Sequence, residues 1–216
     1  MKKTIFLIAC GIAIFLMPCM VFAEELKPIQ LSKPQMDGGR PLMQVLKDRS
    51  SSREFNSQKL PLQVLSNLLW AACGVNRPDS GKRTAPSAVN WQEIDVYVAT
   101  ADGLYLYDAK PHLLKTVLAE DIRALAGLQA FVKDAPINLI YVADLSRISR
   151  GTNEEKDFFS AADTGFIAQN VYLFCASEGL ATVVRASIDK PTLGKRMKLG
   201  PEQRITLSQT VGYPKK

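Results

Sequence analysis

Hydrophobic residues at helical spacing predict five helices along the chain. Proline is favoured in the first turn of a helix, so Pro61 marks one start, and glycine often ends a helix, so Gly74 and Gly179 mark two ends. The predicted helix that ends at Gly179 is the longest and is apolar on most sides. The predicted helices cover residues 42–48, 61–73, 113–118, 122–132 and 161–178.

Shorter apolar runs predict five strands. An alternating run indicates a strand with one buried face, and a continuous run indicates a strand that is buried on both faces. Asp102 and Gly103 separate the first two runs, which predicts an antiparallel hairpin. The predicted strands cover residues 94–99, 104–107, 137–142, 181–184 and 205–211, while residues 75–92 are predicted to be a loop. Helices and strands that alternate loosely around a hairpin indicate an α+β fold.

The first 23 residues have the pattern of a secretory signal peptide. Lys2 and Lys3 precede an apolar run over residues 5–17, and the segment Val21–Ala23 supplies small residues at the positions that signal peptidase reads. The run is shorter than the roughly 20 residues of a membrane span, although a retained N-terminal anchor is the alternative. We therefore expect an exported, periplasmic protein without a stable membrane span after cleavage.

The remaining chain is long enough for one domain with a sizeable core. Pro28, Pro34 and the pair Gly38–Gly39 predict an extended arm over residues 24–40. This arm is expected to be either poorly ordered or laid as a strap on the surface. Residues 41–216 are predicted to form the single domain.

Composition argues against several classes of function. The 27 Lys and Arg exceed the 21 Asp and Glu, but no basic stripe with interleaved aromatic residues supports binding to nucleic acid. The single histidine, His112, and the lack of a cysteine pair at ligand spacing argue against a metal site and against a Ser-His-Asp hydrolase. Cys73 and Cys175 remain after signal cleavage. Export permits a disulfide between them, but Cys175 lies in an apolar helix and is more typical of a small buried residue with a free thiol.

The segment from Arg49 to Phe55 carries the main candidate chemistry. Arg49 and Arg53 flank three serines at the predicted end of a helix. Arginine binds phosphate through two parallel hydrogen bonds, and serine hydroxyls with free backbone N–H groups complete an anion-binding cradle. A capped turn with two solvated arginines is the alternative interpretation of the same residues.

The order of motifs along the chain resembles the nitroreductase family of flavin mononucleotide (FMN) enzymes. Arg-Ser-x-x-Arg-x-Phe at residues 49–55 is followed by a Leu-Pro helix start and by Ala-Pro-Ser-Ala-x-Asn-x-Gln at residues 85–92. Residues 68–72 and 103–108 are similar to the SagB-like dehydrogenase subgroup. The resemblance spans about residues 41–214 and implies a central mixed, mainly antiparallel sheet flanked by helices, in a homodimer.

The resemblance also implies which residues bind FMN. The residues that match the positions around the FMN phosphate in this family are Arg49, Ser50, Ser51, Ser52 and Lys215. Arg53 matches the basic residue that faces the pyrimidine edge of the flavin, where a cation stabilises the negative charge of the reduced ring. A further loop of the family reaches the FMN that is bound mainly by the other subunit. The residues that match this loop are Pro86, Ser87, Ala88 and Asn90.

Two further positions complete the implied site. Ala186 and Ser187 match a turn whose backbone N–H groups face flavin N5 and O4. Gln129 matches a polar side chain that contacts the ribityl chain or the ring of the flavin. The alternative, which carries equal weight, is that Gln129 is an exposed residue of a helix. The implied dimer interface lies on the longest helix, and its residues, which are core residues in the alternative interpretation, are Phe166, Ile167, Val171 and Phe174.

The implied activity is hydride transfer from NAD(P)H through flavin N5 to an organic acceptor such as a nitroaromatic or a quinone. The flavin carries the hydride, so no side chain is expected to act as a catalytic acid or base. Two alternatives stay open. One is a SagB-like dehydrogenase that oxidises an organic substrate directly, and the other is a non-catalytic exported module that binds flavin.

Overall fold

The computed structural model describes residues 26–215, so the predicted signal peptide and Lys216 lie outside the described residues. In chain order the strands and helices are β1 (Ile29–Gln30), α1 (Leu42–Asp48), α2 (Leu62–Cys73), β2 (Val75–Arg77), β3 (Lys82–Arg83), β4 (Ile94–Thr100), β5 (Leu104–Asp108), β6 (Leu113–Leu118), β7 (Ile137–Asp144), α3 (Asn153–Glu178), β8 (Ala181–Arg185), α4 (Lys190–Met197) and β9 (Gln203–Gly212). None of the helices in this part of the chain has both the length and the apolar character needed to cross a membrane.

Seven strands form one sheet in the order β1-β6-β5-β4-β7-β9-β8, and every neighbouring pair is antiparallel. β7 lies inside the sheet and is buried along nearly its whole length, as its continuous apolar run predicts. Helices flank this sheet, which confirms the α+β class with a mainly antiparallel sheet. β8 is the last strand, so one of its edges is open to other segments.

Side chains of β7 alternate between hydrophobic clusters on the two faces of the sheet. Leu139 and Tyr141 pack with residues of α2 and α3, whereas Ile140 and Val142 pack with α4 and with short 3-10 turns that precede β7. Because α3 covers the face next to β8 and β9, it carries side chains to the open edge of the sheet.

The long helix α3 begins at Asn153 rather than at the predicted residue 161. Thr152 and Glu155 form a capping box, in which the Thr152 Oγ1 accepts from the Glu155 N–H at 3.2 Å and Glu155 Oε2 accepts from the Thr152 N–H at 2.8 Å. The first turns are mostly exposed, so their hydrophobic pattern is weak, although Thr-x-x-Glu is a readable start signal. The helix ends at Gly179 as predicted, in the left-handed conformation that favours glycine.

Two of the predicted helices are wrong. Residues 113–118 form strand β6, which pairs with β5 on one side and β1 on the other, and Leu114 is buried while Lys115 is exposed. Alternating burial between two partner strands outweighs the helical spacing of the leucines. Residues 122–132 form two short 3-10 turns instead of one helix, because the chain is extended at Gly127 between them.

The predicted loop and the N-terminal arm contain more regular structure than expected. Within residues 75–92, β2 and β3 form a small antiparallel pair. In the arm, β1 adds an edge strand beside β6, and Leu31 is buried in the main core. The arm is therefore a strap that extends the sheet edge at β1 and then crosses the helices, where the Gln35 N–H donates to Asn67 Oδ1 of α2 at 3.0 Å and the Arg40 N–H donates to Ser177 Oγ of α3 at 2.9 Å.

Candidate functional site

Tyr172 of α3 brings the arginine–serine segment to the open edge of β8. Arg49 ends α1, and its Cζ lies 5.4 Å from the centroid of the Tyr172 ring. The Ser51 hydroxyl lies 2.9 Å from Tyr172 Oη, which also accepts from the Val184 N–H at 3.0 Å. The Ser52 N–H donates to Thr182 O at 3.0 Å. Residues 49–53 therefore lie along the edge of β8.

The end of β9 holds Lys215 beside the same segment. Phe55 forms an antiparallel bridge with Pro214, and the Lys215 N–H donates to Glu54 O at 3.3 Å. Gly212 lets the end of β9 pack closely on Pro136, since a Cβ there would lie 2.6 Å from Pro136 Cδ. The predicted phosphate-side residues Arg49–Ser52 and Lys215 thus meet on neighbouring stretches of backbone.

Gln129 and Ser187 reach this region from two other segments. The Leu128 N–H donates to Ser187 O at 3.1 Å, which places the turn after β8 beside the residues before β7. Phe131 packs against Phe55, with 5.6 Å between ring centroids. Gln129 is half-buried and precedes a short 3-10 turn, so the alternative of an exposed helix residue is wrong. We call Arg49–Arg53, Gln129, Ala186, Ser187 and Lys215 the β8-edge cluster.

A buried arginine lies behind this cluster. Arg185 of β8 donates through Nη2 to Ala126 O at 3.1 Å, to Asn138 Oδ1 at 3.2 Å and to Ser208 Oγ at 3.0 Å. None of these partners is a carboxylate, and burial lowers the pKa of Arg185 to about 10. The side chain therefore stays positively charged at neutral pH, and it adds a fixed positive charge beneath the segment that carries Gln129.

The charges of the β8-edge cluster fit an anionic ligand. Within residues 26–215, Arg49, Arg53 and Lys215 form no ion pair with a carboxylate. Gln129 Oε1 is buried, and it has no hydrogen-bond partner in the same part of the chain. Unpaired cations beside serines suit a phosphate group, and a buried acceptor without a donor suits a polar ligand atom. The residues present thus fit FMN.

The predicted loop residues lie elsewhere on α3. The Ala88 N–H donates to Asp163 Oδ2 at 2.8 Å, and Ser87 Oγ accepts from the Gln92 N–H at 3.0 Å. Pro86 and Asn90 are exposed beside them. Asp163 precedes Tyr172 by nine residues of α3, which is about 14 Å along a helix. One protomer therefore does not bring this loop to its own β8-edge cluster.

The predicted interface on α3 is partly wrong. Ile167 and Val171 are only 5% and 0% exposed and belong to the core of the protomer, where they pack against the sheet. Phe174 is partly buried against the same core, whereas Phe166 is 48% exposed. Helical spacing identifies a buried face but not what covers it, and here the sheet covers most of it.

Both cysteines of the described residues are buried free thiols. Burial raises the pKa of Cys73 to about 11 and raises the pKa of Cys175 as well. The interpretation of Cys175 as a small buried residue agrees with this placement. Among residues 26–215, no group of His, Cys, Asp and Glu side chains is arranged to hold a metal ion.

Sequence reasoning missed four polar residues beside the predicted ones, namely Tyr172, Arg185, Glu93 and Asp163. Tyr172 is hidden in an apolar helix, and no local signal distinguishes it from a core residue. Glu93 directly follows the predicted loop, and Asp163 is an acid within an otherwise apolar stretch of α3. An acid at such a position is a usable signal, because an unpaired carboxylate is costly to bury.

Comparisons with known proteins give consistent matches. The family model described as "Nitroreductase family" matches residues 46–213. A protein of Methanocaldococcus jannaschii named as a nitroreductase is 38% identical over 152 residues, covering 66% of this chain and 76% of the relative. A crystal structure from Ralstonia eutropha JMP134, also named as a nitroreductase, has a TM-score of 0.85 at 44% identity and covers 88% of this chain and 91% of that chain.

A more distant solved structure shares the fold. The NADPH:FMN oxidoreductase from Vibrio harveyi, in complex with NAD+, has a TM-score of 0.61 at 19% identity. The match covers 81% of this chain and 69% of that chain. At this identity the likeness concerns the fold alone.

Proposed function

This chain belongs to the nitroreductase family, and from that premise we propose that it is an FMN-dependent oxidoreductase that takes hydride from NAD(P)H and passes it to an organic acceptor. Family membership supports a flavin oxidoreductase in general. The acceptor that we propose is a nitroaromatic or a quinone. The predicted signal peptide motivates the further proposal that the enzyme is exported to the periplasm.

One observation carries the proposal of FMN. Arg49, Arg53 and Lys215 lie on neighbouring stretches of backbone at the open edge of β8 without carboxylate partners in the described chain, and the buried Oε1 of Gln129 in the same cluster has no hydrogen-bond partner there. A solvated surface cluster would not require a buried acceptor beside it. A ligand that combines a phosphate with polar ring and sugar atoms satisfies both features.

The protein residues have distinct roles in this proposal. Arg49, Ser51 and Lys215 would bind the phosphate, and Arg53 would stabilise negative charge on the pyrimidine side. Backbone N–H groups of the turn at Ala186 and Ser187 would orient the ring. The flavin supplies the hydride chemistry when it is bound, so the protein needs no catalytic acid or base of its own.

We further propose a two-fold homodimer that completes the site. The loop with Pro86 and Asn90 is exposed and lies about 14 Å along α3 from the β8-edge cluster of its own protomer. In a dimer, the same loop is free to face the cluster of the partner. This arrangement would give the flavin a second wall and limit the access of water.

A second candidate function is favoured by the predicted export. Outside the cytoplasm NAD(P)H is scarce, so a SagB-like dehydrogenase that oxidises an organic substrate directly fits an exported enzyme. Turnover of such a substrate without any nicotinamide would favour this alternative. Tight FMN binding without reduction by any donor would instead indicate a non-catalytic flavin-binding module.

The central test is an anaerobic absorbance spectrum of the purified protein. We expect flavin bands as purified or after loading with FMN, and bleaching of those bands on addition of NADH or NADPH. A sample without a donor is the control for photoreduction. Protein that is colourless and does not take up FMN would contradict the proposal.

A variant of Arg49 tests the phosphate site separately from activity. A hydrogen bond to a charged group contributes about 1.5–3 kcal/mol, so Arg49→Ala should weaken FMN affinity about 10- to 100-fold. FMN affinity is measured by fluorescence titration and folding by circular dichroism. Arg150→Ala, at an exposed arginine in the turn before α3, is the matched control and should bind FMN like the parent. Unchanged affinity in Arg49→Ala would remove Arg49 from the site.

A further inference from the structure

Two buried carboxyl groups lie side by side beneath the loop at residues 87–92. Glu93 is 0% exposed and Asp163 is 2% exposed, and the two side chains are within hydrogen-bonding range of each other. Both carboxyl oxygens of Glu93 are buried, and neither has a donor among residues 26–215. Asp163 Oδ2 accepts from the Ala88 N–H at 2.8 Å. Carboxylates only accept hydrogen bonds, so this contact is repulsive unless one of the groups holds a proton.

The loop above this pair has a strained backbone. Val89, Asn90 and Gln92 have φ angles of 51°, 60° and 50°, in the left-handed region that non-glycine residues rarely adopt. Val89 is β-branched, which makes this conformation especially unfavourable. Such a backbone persists only where the surrounding contacts hold it in place. The bond from the Ala88 N–H to Asp163 is one of those contacts, and it joins the loop directly to α3.

We propose that Glu93 and Asp163 share one proton and that this acid–carboxylate pair is the positioning element that holds loop 87–92 in its strained conformation. The protonated Glu93 carboxyl donates a hydrogen bond to the Asp163 carboxylate, which also accepts the hydrogen bond from the Ala88 N–H. Loss of the proton leaves two adjacent negative charges, which repel each other and weaken the bond to Ala88. The loop then relaxes from its strained backbone.

The charged groups around the pair do not neutralise it. Arg147, in the 3-10 turn after β7, donates to Gln92 O at 3.0 Å and is bound by both carboxylate oxygens of Asp95 at 2.9 and 2.8 Å. Asp144 lies 3.4 Å from the same guanidinium. Arg83 of β3 donates to Gln92 Oε1 at 2.9 Å rather than to either acid. Both nearby arginines are therefore engaged elsewhere.

The direction of the pH dependence follows from this setting. Burial, with the neighbouring Asp163 carboxylate, raises the pKa of Glu93 to about 7, although its own backbone and Arg147 act in the opposite direction. Burial also raises the pKa of Asp163. The shared proton is thus present below about pH 7 and is lost as the pH rises through that value. The loop is held at acidic to neutral pH and relaxes at higher pH.

Trp91 provides a reporter inside the loop. Its ring packs against Phe159 at a centroid distance of 5.7 Å, and the chain contains two tryptophans in all. In a Trp70→Phe background, the fluorescence of Trp91 should change in one transition as the pH rises from 5.5 to 9. An absence of any transition in that range would overturn the proposal.

Conservative variants separate this role from ordinary packing. In Glu93→Gln, the amide donates to Asp163 without a titratable proton, so the Trp91 transition should disappear while the low-pH signal remains. In Asp163→Asn, the amide donates to Glu93 while the side-chain oxygen still accepts from Ala88, so the Trp91 transition should also disappear. This variant replaces Glu93→Gln in the test if Glu93→Gln folds poorly. Glu202→Gln, at an exposed turn, is the matched control and should keep the transition. A transition that persists in both conservative variants would overturn the proposal.

The effect on the cofactor rests on the proposed function. If loop 87–92 forms a wall of the partner's flavin site, FMN affinity of the parent should fall by several-fold over the same pH range, and it should stay flat in Glu93→Gln. A Trp91 transition without a change in FMN affinity would support the shared proton and overturn its link to the cofactor. Failure to bind FMN at any pH would overturn the proposed function instead, while the Trp91 result would stand.

Discussion

Tyr172 joins three separate segments through one hydroxyl and one ring. The hydroxyl contacts Ser51 Oγ and the Val184 N–H, and the ring lies beneath the Arg49 guanidinium. These contacts tie α1, α3 and β8 together at the β8-edge cluster. A buried hydroxyl with two partners is costly to remove, because its partners lose their hydrogen bonds without gaining water.

Removal of this hydroxyl should loosen the cluster while leaving the ring in place. In Tyr172→Phe, the Val184 N–H loses its partner, and we expect a loss of about 1–3 kcal/mol in the free energy of unfolding. We also expect weaker retention of FMN, since Ser51 is no longer oriented. Denaturant unfolding and FMN titration measure the two effects. The control is Tyr105→Phe. Tyr105 is a buried tyrosine of β5, and three strands separate β5 from β8 in the sheet. Equal stability of the two variants would contradict the role of Tyr172 Oη.

At the scale of elements, His112 fastens the N-terminal strap to the domain. Its Nε2 lies 2.7 Å from Ser66 Oγ of α2, and its Nδ1 lies 2.9 Å from Tyr107 Oη of β5. Its backbone oxygen accepts from the Leu31 N–H at 3.3 Å. Ser66 donates to Ser32 O, so it accepts from Nε2, and Nδ1 accepts from Tyr107. This network satisfies the neutral imidazole.

Acid should therefore weaken the strap. Burial lowers the pKa of His112 below its ordinary value of 6.5. The unfolded chain then binds a proton more readily than the folded chain, so the stabilisation is complete above about pH 6.5 and is lost as the pH falls below it. Hydrogen exchange at the Leu31 amide, corrected for its intrinsic pH dependence, should accelerate between pH 7.5 and 5.5.

Two controls make this measurement specific. The Val98 amide in β4 should keep its protection, and His112→Gln should abolish the pH dependence at Leu31. His112 is the only histidine of the chain, so no second imidazole contributes. A constant ratio of the Leu31 and Val98 protection factors across this pH range would show that His112 does not control the strap.

At the scale of the whole molecule, the two groups of predicted site residues lie at different positions along α3. The β8-edge cluster meets α3 at Tyr172, and loop 87–92 meets it at Asp163. Large apolar side chains are also exposed on α1 and α3, namely Leu42, Met43, Leu46, Phe158 and Phe166. A two-fold dimer would cover this apolar surface and bring each loop toward the partner's cluster.

Light scattering coupled to size exclusion tests the dimer. We expect the parent to have twice the protomer mass, and Phe166→Glu to shift toward the monomer because a charge would be buried in the interface. The control is Val117→Glu, at an exposed position of β6 on the far side of the sheet. A monomeric parent would contradict the proposed dimer, and equal masses of the two variants would exclude Phe166 from its interface.

Much of the fold was predictable because several elements have strong local signals. α2 follows from Pro61, its apolar spacing and Gly74, and β7 follows from a continuous apolar run. The helical prediction for residues 113–118 failed because the leucine spacing there is compatible with both the helical and the strand period. At the site, motif order grouped Arg49–Arg53 with Lys215, and the structure places them together. Their roles toward FMN stay a prediction.

The sequence by itself determined the elements with uninterrupted patterns and the order of the motifs, because helical and strand periodicity are local properties of the chain. Only the tertiary structure decided that Tyr172 would join Arg49 to β8 and that Asp163 would hold Ala88 across 75 residues of chain. The buried pairing of Glu93 with Asp163 has the same origin. Contacts of this kind depend on how helices pack on the sheet, and no local pattern records that packing.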